Sequence, residues 1–232
     1  MTVQTFQLDI EGRSIPLTVR RNGRARRMIL RLDTGGDGAV VTIPPHNDAV
    51  DGLDMARRQS AWLSRQLKAR PERLTFREGA IIPYLGEDYT LHRVPGRAGI
   101  TLRSDGGIYI PGDPRHLARR LTDWFRKQAR QEMTTRVYAK ALLIERTPGR
   151  VTIRDTRTRW GSCSAKGNLS FSWRLMMAPE SVLDYVVAHE VAHLAQMNHS
   201  ARFWQCVGGL SDDMESSRAW LREHGERLHR IG

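Results

Sequence analysis

A short stretch of the sequence places two histidines and a glutamate at a spacing that suits metal chemistry. His189 and His193 are four residues apart, so they lie on one face if the stretch is an α-helix. Two imidazoles on one helix face are able to share a tetrahedral metal ion. Glu190 lies about 100° round the helix from His189, where it is better placed to reach a metal-bound water than to act as a ligand. This H-E-x-x-H pattern predicts a metal site with Glu190 as the general base.

A third ligand is needed, and His199 is the residue that the spacing favours. Asn198 is a residue type that adopts the left-handed conformation, which would turn the chain back after the helix. Ser200 would then cap the next helix. The rival ligands are carboxylates further along the chain, Glu215 first and Asp213 second.

Three histidine ligands leave one tetrahedral position open for water, which is typical of a catalytic zinc site. We therefore expect one Zn²⁺ ion. Imidazole also binds nickel, cobalt and copper, so the residues do not select zinc over Ni²⁺ or Co²⁺.

Size and composition are those of a globular protein. The 232 residues suggest one or two domains, and 40% of them are hydrophobic and 27% charged. No apolar run reaches the roughly eighteen residues of a membrane span, and residues 1–6 do not resemble a secretion signal. Cys163 and Cys206 are too few for a disulfide framework. We expect a cytoplasmic protein that does not enter a membrane.

The chain is strongly basic, with a formal net charge of +12. Arginines concentrate in two stretches, residues 20–31 and 150–159. A basic surface attracts nucleic acid or acidic polypeptide, so nucleic acid is a second kind of partner to consider. The competing interpretation is that solvated arginines are spread over every face of the protein.

Alternating apolar residues and turn signals predict a β-rich region over residues 1–112, with one long helix. The predicted strands are 3–10, 14–20, 28–32, 39–43, 80–84, 89–94, 99–103 and 108–110. The helix is predicted from residue 47 or 48 to about residue 70, with Pro71 ending it.

Residues 113–232 are predicted to form a second domain of mixed composition. Apolar residues at helical spacing predict a helix over 113–145 that begins at Asp113-Pro114. Strands are predicted at 151–155, 157–162 and 169–176, and helices at 181–196, 201–207 and 211–228. The fold class is therefore α+β.

A block from Arg157 to Trp204 resembles the YgjP-like zinc metallopeptidases, which are relatives of the SprT-like group. The matching segments are R-T-R-W-G-S-C-S from Arg157, G-N-L from Gly167, W-R-L from Trp173, A-P-E from Ala178, L-D-Y-V-V from Leu183, H-E-V-A-H-L from His189, N-H-S from Asn198 and R-F-W from Arg202. The resemblance implies a minimal zincin-like metallopeptidase domain: a helix, a small sheet, the HExxH helix and C-terminal helices. Gln196 stands where the longer metzincin pattern has glycine, which argues against a metzincin.

By this resemblance the protein is a peptidase in which Glu190 assists the attack of a zinc-bound water on a peptide bond. The resemblance also implies zinc ligation by His189, His193 and His199. In related zincins the substrate lies along a sheet edge above the metal, which makes Trp160, Gly161 and Ser162 candidate substrate-binding residues. Alternatively, those three residues only shape a tight strand end.

Two other functions remain open at this point. One is a nucleic-acid-associated protein whose metal domain acts on, or is regulated by, nucleoprotein. The SprT-like relatives and the arginine clusters suggest it. The other is a metal-binding domain without catalysis, which requires the fourth coordination position to be blocked.

Overall fold

The computed structural model describes residues 3–96 and 99–232. The chain divides into two compact units, Met1–Glu72 and Arg73–Gly232. The predicted domain boundary after residue 112 lies inside the second unit. The strands before that residue contribute Ile82, Leu91 and Ile108 to the same apolar core as the helices that follow. That residues 113–232 form a domain of their own stays a prediction.

The first unit is a four-stranded sheet with two helices. Its strands are ordered β1-β2-β4-β3, and both predicted strand pairs, β1 with β2 and β3 with β4, are confirmed as antiparallel. Their bounds are β1 Val3–Ile10, β2 Arg13–Arg21, β3 Ile29–Leu32 and β4 Ala39–Ile43.

The long helix expected in this region is interrupted. It forms α1, Ala49–Arg58, and α2, Ser60–Lys68, with the break at Gln59. Asp48 caps α1 as expected, because its side chain accepts a hydrogen bond from the backbone N–H of Asp51. Glutamine is not a helix-breaking residue type, so the sequence pattern does not mark this break.

The second unit begins with another four-stranded sheet, ordered β5-β6-β8-β7. Its strands are β5 Ile81–Tyr84, β6 Glu87–Val94, β7 Leu102–Ser104 and β8 Gly107–Pro111. Helix α3, Leu117–Leu143, follows a short 3-10 turn that Asp113 caps. Its buried stripe includes Leu121 and Phe125, which confirms the predicted core-facing pattern.

A three-stranded sheet stands next to the histidine helix. Its strands are β9 Val151–Arg154, β10 Gly161–Cys163 and β11 Leu169–Ser172, ordered β10-β11-β9. All three strands are shorter than predicted, and β10 begins at Gly161 instead of Arg157. Ser172 ends β11 by capping the 3-10 helix Trp173–Met177. Strand β10 pairs only with β11, so its other side is an open sheet edge among the described residues.

The histidine helix is α4, Glu180–Ala192, and it is followed by α5, Ala201–Leu210, and α6, Met214–His229. Nine of the thirteen α4 residues are buried, so α4 has neighbours on almost every side. No helix in the described part of the chain is both long and apolar enough to cross a membrane. The α+β fold class with a β-rich N-terminal part is confirmed.

Charged groups fasten α4 to α3. Arg136 of α3 forms ion pairs with Glu180 and with Asp184, the latter at 3.3 Å, and Lys140 approaches Asp184 to 2.8 Å. These pairs are only partly exposed, and each basic group is shared between partners. The arrangement holds α4 at a defined position along α3.

Candidate metal centre

Helix α4 and the turn after it bring three imidazole rings together. The ring nitrogens of His189, His193 and His199 that face one another all lie within 4.8 Å. The Nε2 atoms of His189 and His199 are 3.2 Å apart. Two nitrogens that bind one tetrahedral zinc at about 2.0–2.1 Å would be separated by about 3.3 Å. The spacing of this pair therefore suits one tetrahedral metal ion of the size of zinc.

The turn after α4 is built differently from the prediction. The carbonyl of Ala192 accepts hydrogen bonds from the N–H groups of Ala195 and Gln196, which tightens the end of the helix. Asn198 is not among the residues with positive φ, so its expected left-handed conformation is wrong. The expected role of Ser200 is confirmed, since its hydroxyl accepts from the N–H of Phe203 at the start of α5.

The rival third ligands do not join this cluster among the described residues. Glu215 lies exposed in the first turn of α6, and Asp213 is the residue before that helix. In the described part of the chain, His199 is the only further His, Cys, Asp or Glu grouped with the two helix histidines at ligand distance.

Burial keeps the helix histidines in the form that binds metal. Burial lowers the pKa of His189 to about 4, helped by the neighbouring charges of His193, His199 and Arg218. Burial also lowers the pKa of His193, against the hydrogen bond from its ring to the Gln196 carbonyl. Both rings are therefore neutral at pH 7, as metal ligation requires.

The two helix histidines differ in how they are oriented. His193 Nδ1 lies 3.0 Å from the backbone oxygen of Gln196, a contact that fixes which ring nitrogen carries the proton. His189 Nδ1 is buried without a hydrogen-bond partner among the described residues. Aromatic packing orients His189 instead, with Phe203 at 4.9 Å and Tyr185 at 6.0 Å between ring centroids.

Phe203 forms an apolar floor under the cluster. Its fully buried ring has centroid distances of 4.5 to 4.9 Å to all three imidazoles. Trp204 lies beside His199 at 5.7 Å with nearly parallel rings, and the guanidinium of Arg218 covers the Trp204 ring at 4.7 Å. The sequence indicated both aromatics only as part of a short helix. Their position three and four residues after the capping Ser200 was the available signal.

Glu190 belongs to α4, and its side chain lies against Gly161 of the open edge strand β10. Its side chain is 6% exposed, and burial raises its pKa to about 7, opposed by the positive charge of Arg159. The raised pKa suits a group that accepts and returns a proton near neutral pH. Gly161 of β10 approaches it so closely that a Cβ atom there would lie 2.5 Å from Glu190 Cγ.

The three candidate substrate residues have different surroundings. Trp160 is partly buried, and its ring stacks on His229 of α6 at 4.5 Å. Gly161 faces Glu190, and Ser162 lines a groove on the other side of the sheet. Gly161 and Ser162 thus lie on the open edge strand. Trp160 directly precedes that strand, and its ring packs against α6.

The contact between His229 and Trp160 leads to a prediction for the pH dependence of stability. His229 is 8% exposed, its Nδ1 has no hydrogen-bond partner among the described residues, and burial lowers its pKa to about 4, with the charge of Arg174 adding to the effect. Unfolding returns the pKa to about 6.5, so the unfolded chain takes up this proton first as the pH falls. Neutral His229 therefore makes its full contribution to the free energy of unfolding above about pH 6.5. That contribution, at most about 3 kcal/mol, is lost as the pH falls toward 4.

We expect His229→Gln to flatten that pH dependence, because glutamine does not titrate. The measurement is denaturant unfolding of both proteins between pH 4 and 7.5 in the presence of a chelator, so that metal release affects neither. Parallel curves for the two proteins over this range would contradict the assignment.

Comparisons with known proteins add to this geometry. The family model described as YgjP-like, metallopeptidase domain, matches residues 26–224, a range that contains the three histidines and Glu190. Among solved structures, the crystal structure of the metallopeptidase zymogen of Pyrococcus abyssi abylysin is similar. It has 25% sequence identity and a TM-score of 0.33, over 39% of this chain and 93% of that chain. No curated protein matches the sequence.

Proposed function

Because the chain belongs to the YgjP-like family, with its metallopeptidase domain, we propose that it is a zinc-dependent peptidase. His189, His193 and His199 hold the ion, and Glu190 is the general base. The single observation that carries the proposal is the convergence of three imidazoles beside a buried carboxylate.

The donor set supports zinc, because three imidazole ligands would leave a tetrahedral position for a further group. Zinc supplies two things when it is bound: it polarises a carbonyl group as a Lewis acid, and it lowers the pKa of water. Nickel or cobalt would fit the same three nitrogens, and metal analysis distinguishes them.

Glu190 does the proton transfer. With a pKa of about 7, raised by burial, it accepts a proton from the attacking water and returns that proton to the leaving amine. Its buried position against Gly161 keeps the carboxylate at one place between the helix and the strand edge. A group held in that way loses little entropy when the substrate arrives.

Strand β10 positions the substrate. Its free side presents backbone N–H and C=O groups to which an extended peptide pairs as an added strand. Gly161 lies on this strand in contact with Glu190, so a peptide paired there passes close to the general base.

The experiment combines metal analysis with a cleavage assay of the full chain. We expect one zinc per chain, cleavage of unstructured peptides by the zinc-loaded protein, and loss of cleavage after chelation that added zinc reverses. His199→Ala should weaken zinc binding. A zinc-loaded protein that cleaves no peptide across a broad library would favour a non-catalytic metal-binding domain.

The nucleic-acid partner and the cytoplasmic location stay predictions. The family match does not support binding of nucleic acid, which rests on the basic sequence with its two arginine stretches and on the resemblance to the SprT-like group. DNA binding that weakens steeply as salt is added would be the observation in its favour.

A further inference from the structure

A groove of about 580 Å³ lies on one face of the small sheet. Its floor is a row of three hydroxyl side chains, one from each strand. The strand pairing aligns Ser162 of β10 with Ser170 of β11, and Ser170 with Thr152 of β9. Neighbours in such a row point to the same face of the sheet.

Arginines form the rim of this groove, which we call the arginine groove. Arg150, Arg154 and Arg159 all line it, and no acidic residue does. None of these three guanidinium groups forms an ion pair among the described residues, although the charge of Arg159 also acts on Glu190. The acid nearest in sequence, Asp155, is engaged elsewhere, since it accepts a hydrogen bond from Arg174 Nε at 2.7 Å. The groove therefore concentrates uncompensated positive charge over a floor of hydrogen-bonding groups.

Strand β10 links the groove to the catalytic edge. Side chains alternate between the two faces of a strand, so Gly161 faces Glu190 whereas Ser162 faces the arginine groove. A peptide that pairs with the free side of β10 alternates in the same way. Its residue opposite Ser162, and the residues two positions away, point toward the arginine rim.

We propose that the arginine groove is a specificity subsite for peptides that carry aspartate or glutamate at the alternate positions facing Ser162. This inference rests on the proposed function, since it places the peptide on the β10 edge. Arginine pairs with carboxylates through two parallel hydrogen bonds, and the hydroxyls of Ser162 and Ser170 are able to donate further ones, whereas the Thr152 hydroxyl already donates to the Leu169 carbonyl. The groove volume accommodates more than one such side chain.

To test the subsite proposal, peptide binding and peptide cleavage are measured in separate experiments. The first probe is a fluorescent peptide with glutamate at every second position, and its match carries glutamine there. Anisotropy titrations use the zinc-loaded full chain with Glu190→Gln, so that the probe is not consumed. We expect the glutamate peptide to bind about tenfold more tightly at low ionic strength, with the preference shrinking as salt screens the charges.

Two variants locate the effect. The double variant Arg154→Gln/Arg159→Gln, which includes the rim arginine next to β10, should abolish most of the preference for glutamate. Arg130→Gln removes a charge from the exposed surface of α3, outside the groove, and should leave the preference unchanged. Circular dichroism and zinc content establish that each variant is folded.

The outcomes separate this inference from the proposed function. The subsite proposal is overturned if the glutamate and glutamine peptides bind equally. It is also overturned if Arg130→Gln loses the preference for glutamate as much as the double variant does. Single-stranded DNA that binds more tightly than the glutamate peptide, and loses affinity in the double variant, overturns it in favour of nucleic acid. If the preference is present but the wild-type protein cleaves neither peptide, the subsite stands and the peptidase proposal fails.

Discussion

Glu190→Gln should retain zinc and lose peptide hydrolysis. Glutamine has nearly the same shape but does not accept the proton of the attacking water, and general-base catalysis contributes about 10²–10⁴-fold to a rate. We expect kcat to fall by that factor with zinc content unchanged, because Glu190 lies outside the cluster of ligand nitrogens. The measurements are cleavage of a quenched fluorescent peptide and metal analysis of the same preparation.

Glu215→Gln is the matched control. It removes one carboxylate from an exposed position in the first turn of α6, and it also tests the rival third ligand. We expect neither zinc content nor kcat to change. Full activity in Glu190→Gln would remove the general-base role, and zinc loss in Glu215→Gln would reinstate the carboxylate ligand.

We expect Gly161→Ala to abolish activity, although Gly161 has no side chain that could take part in catalysis. The added Cβ would lie 2.5 Å from Glu190 Cγ and 2.6 Å from its Oε1 atom, far inside van der Waals contact. Either the Glu190 carboxylate or strand β10 must move, and a misplacement of about 1 Å in an active site costs on the order of 10²-fold in rate. Overpacking should also lower the free energy of unfolding by about 1–3 kcal/mol.

Gly208→Ala makes the same chemical change without the clash. Gly208 lies in α5, and a Cβ there would meet no other heavy atom within 4 Å. We expect unchanged activity and a gain in stability of up to about 1 kcal/mol from the better helix propensity of alanine. Assays of kcat/KM and denaturant unfolding on both variants distinguish the two effects. Wild-type activity in Gly161→Ala would show that the approach to Glu190 has no catalytic importance.

The elements formed by nearby residues follow from the sequence. The spacing of His189 and His193 places them on one helix face whatever surrounds the helix, and Ser200 caps α5 through a contact three residues along the chain. The strand pairs of the first unit follow from alternation and turn residues. Hydrogen bonds and periodicity of this kind act within a few residues, which is why the pattern alone predicts them.

Features that depend on distant segments required the tertiary structure. Which strand forms the open edge, how closely Gly161 approaches Glu190, and the stacking of His229 on Trp160 are all contacts between separate elements. The raised pKa of Glu190 is also of this kind, because burial by packing around it causes the shift. The sequence by itself therefore determined which residues are the candidates for metal binding and proton transfer. Packing between elements decided how those residues are oriented, how burial shifts their pKa values and which strand of the small sheet has a free edge among the described residues, because each of these depends on segments far apart in the chain.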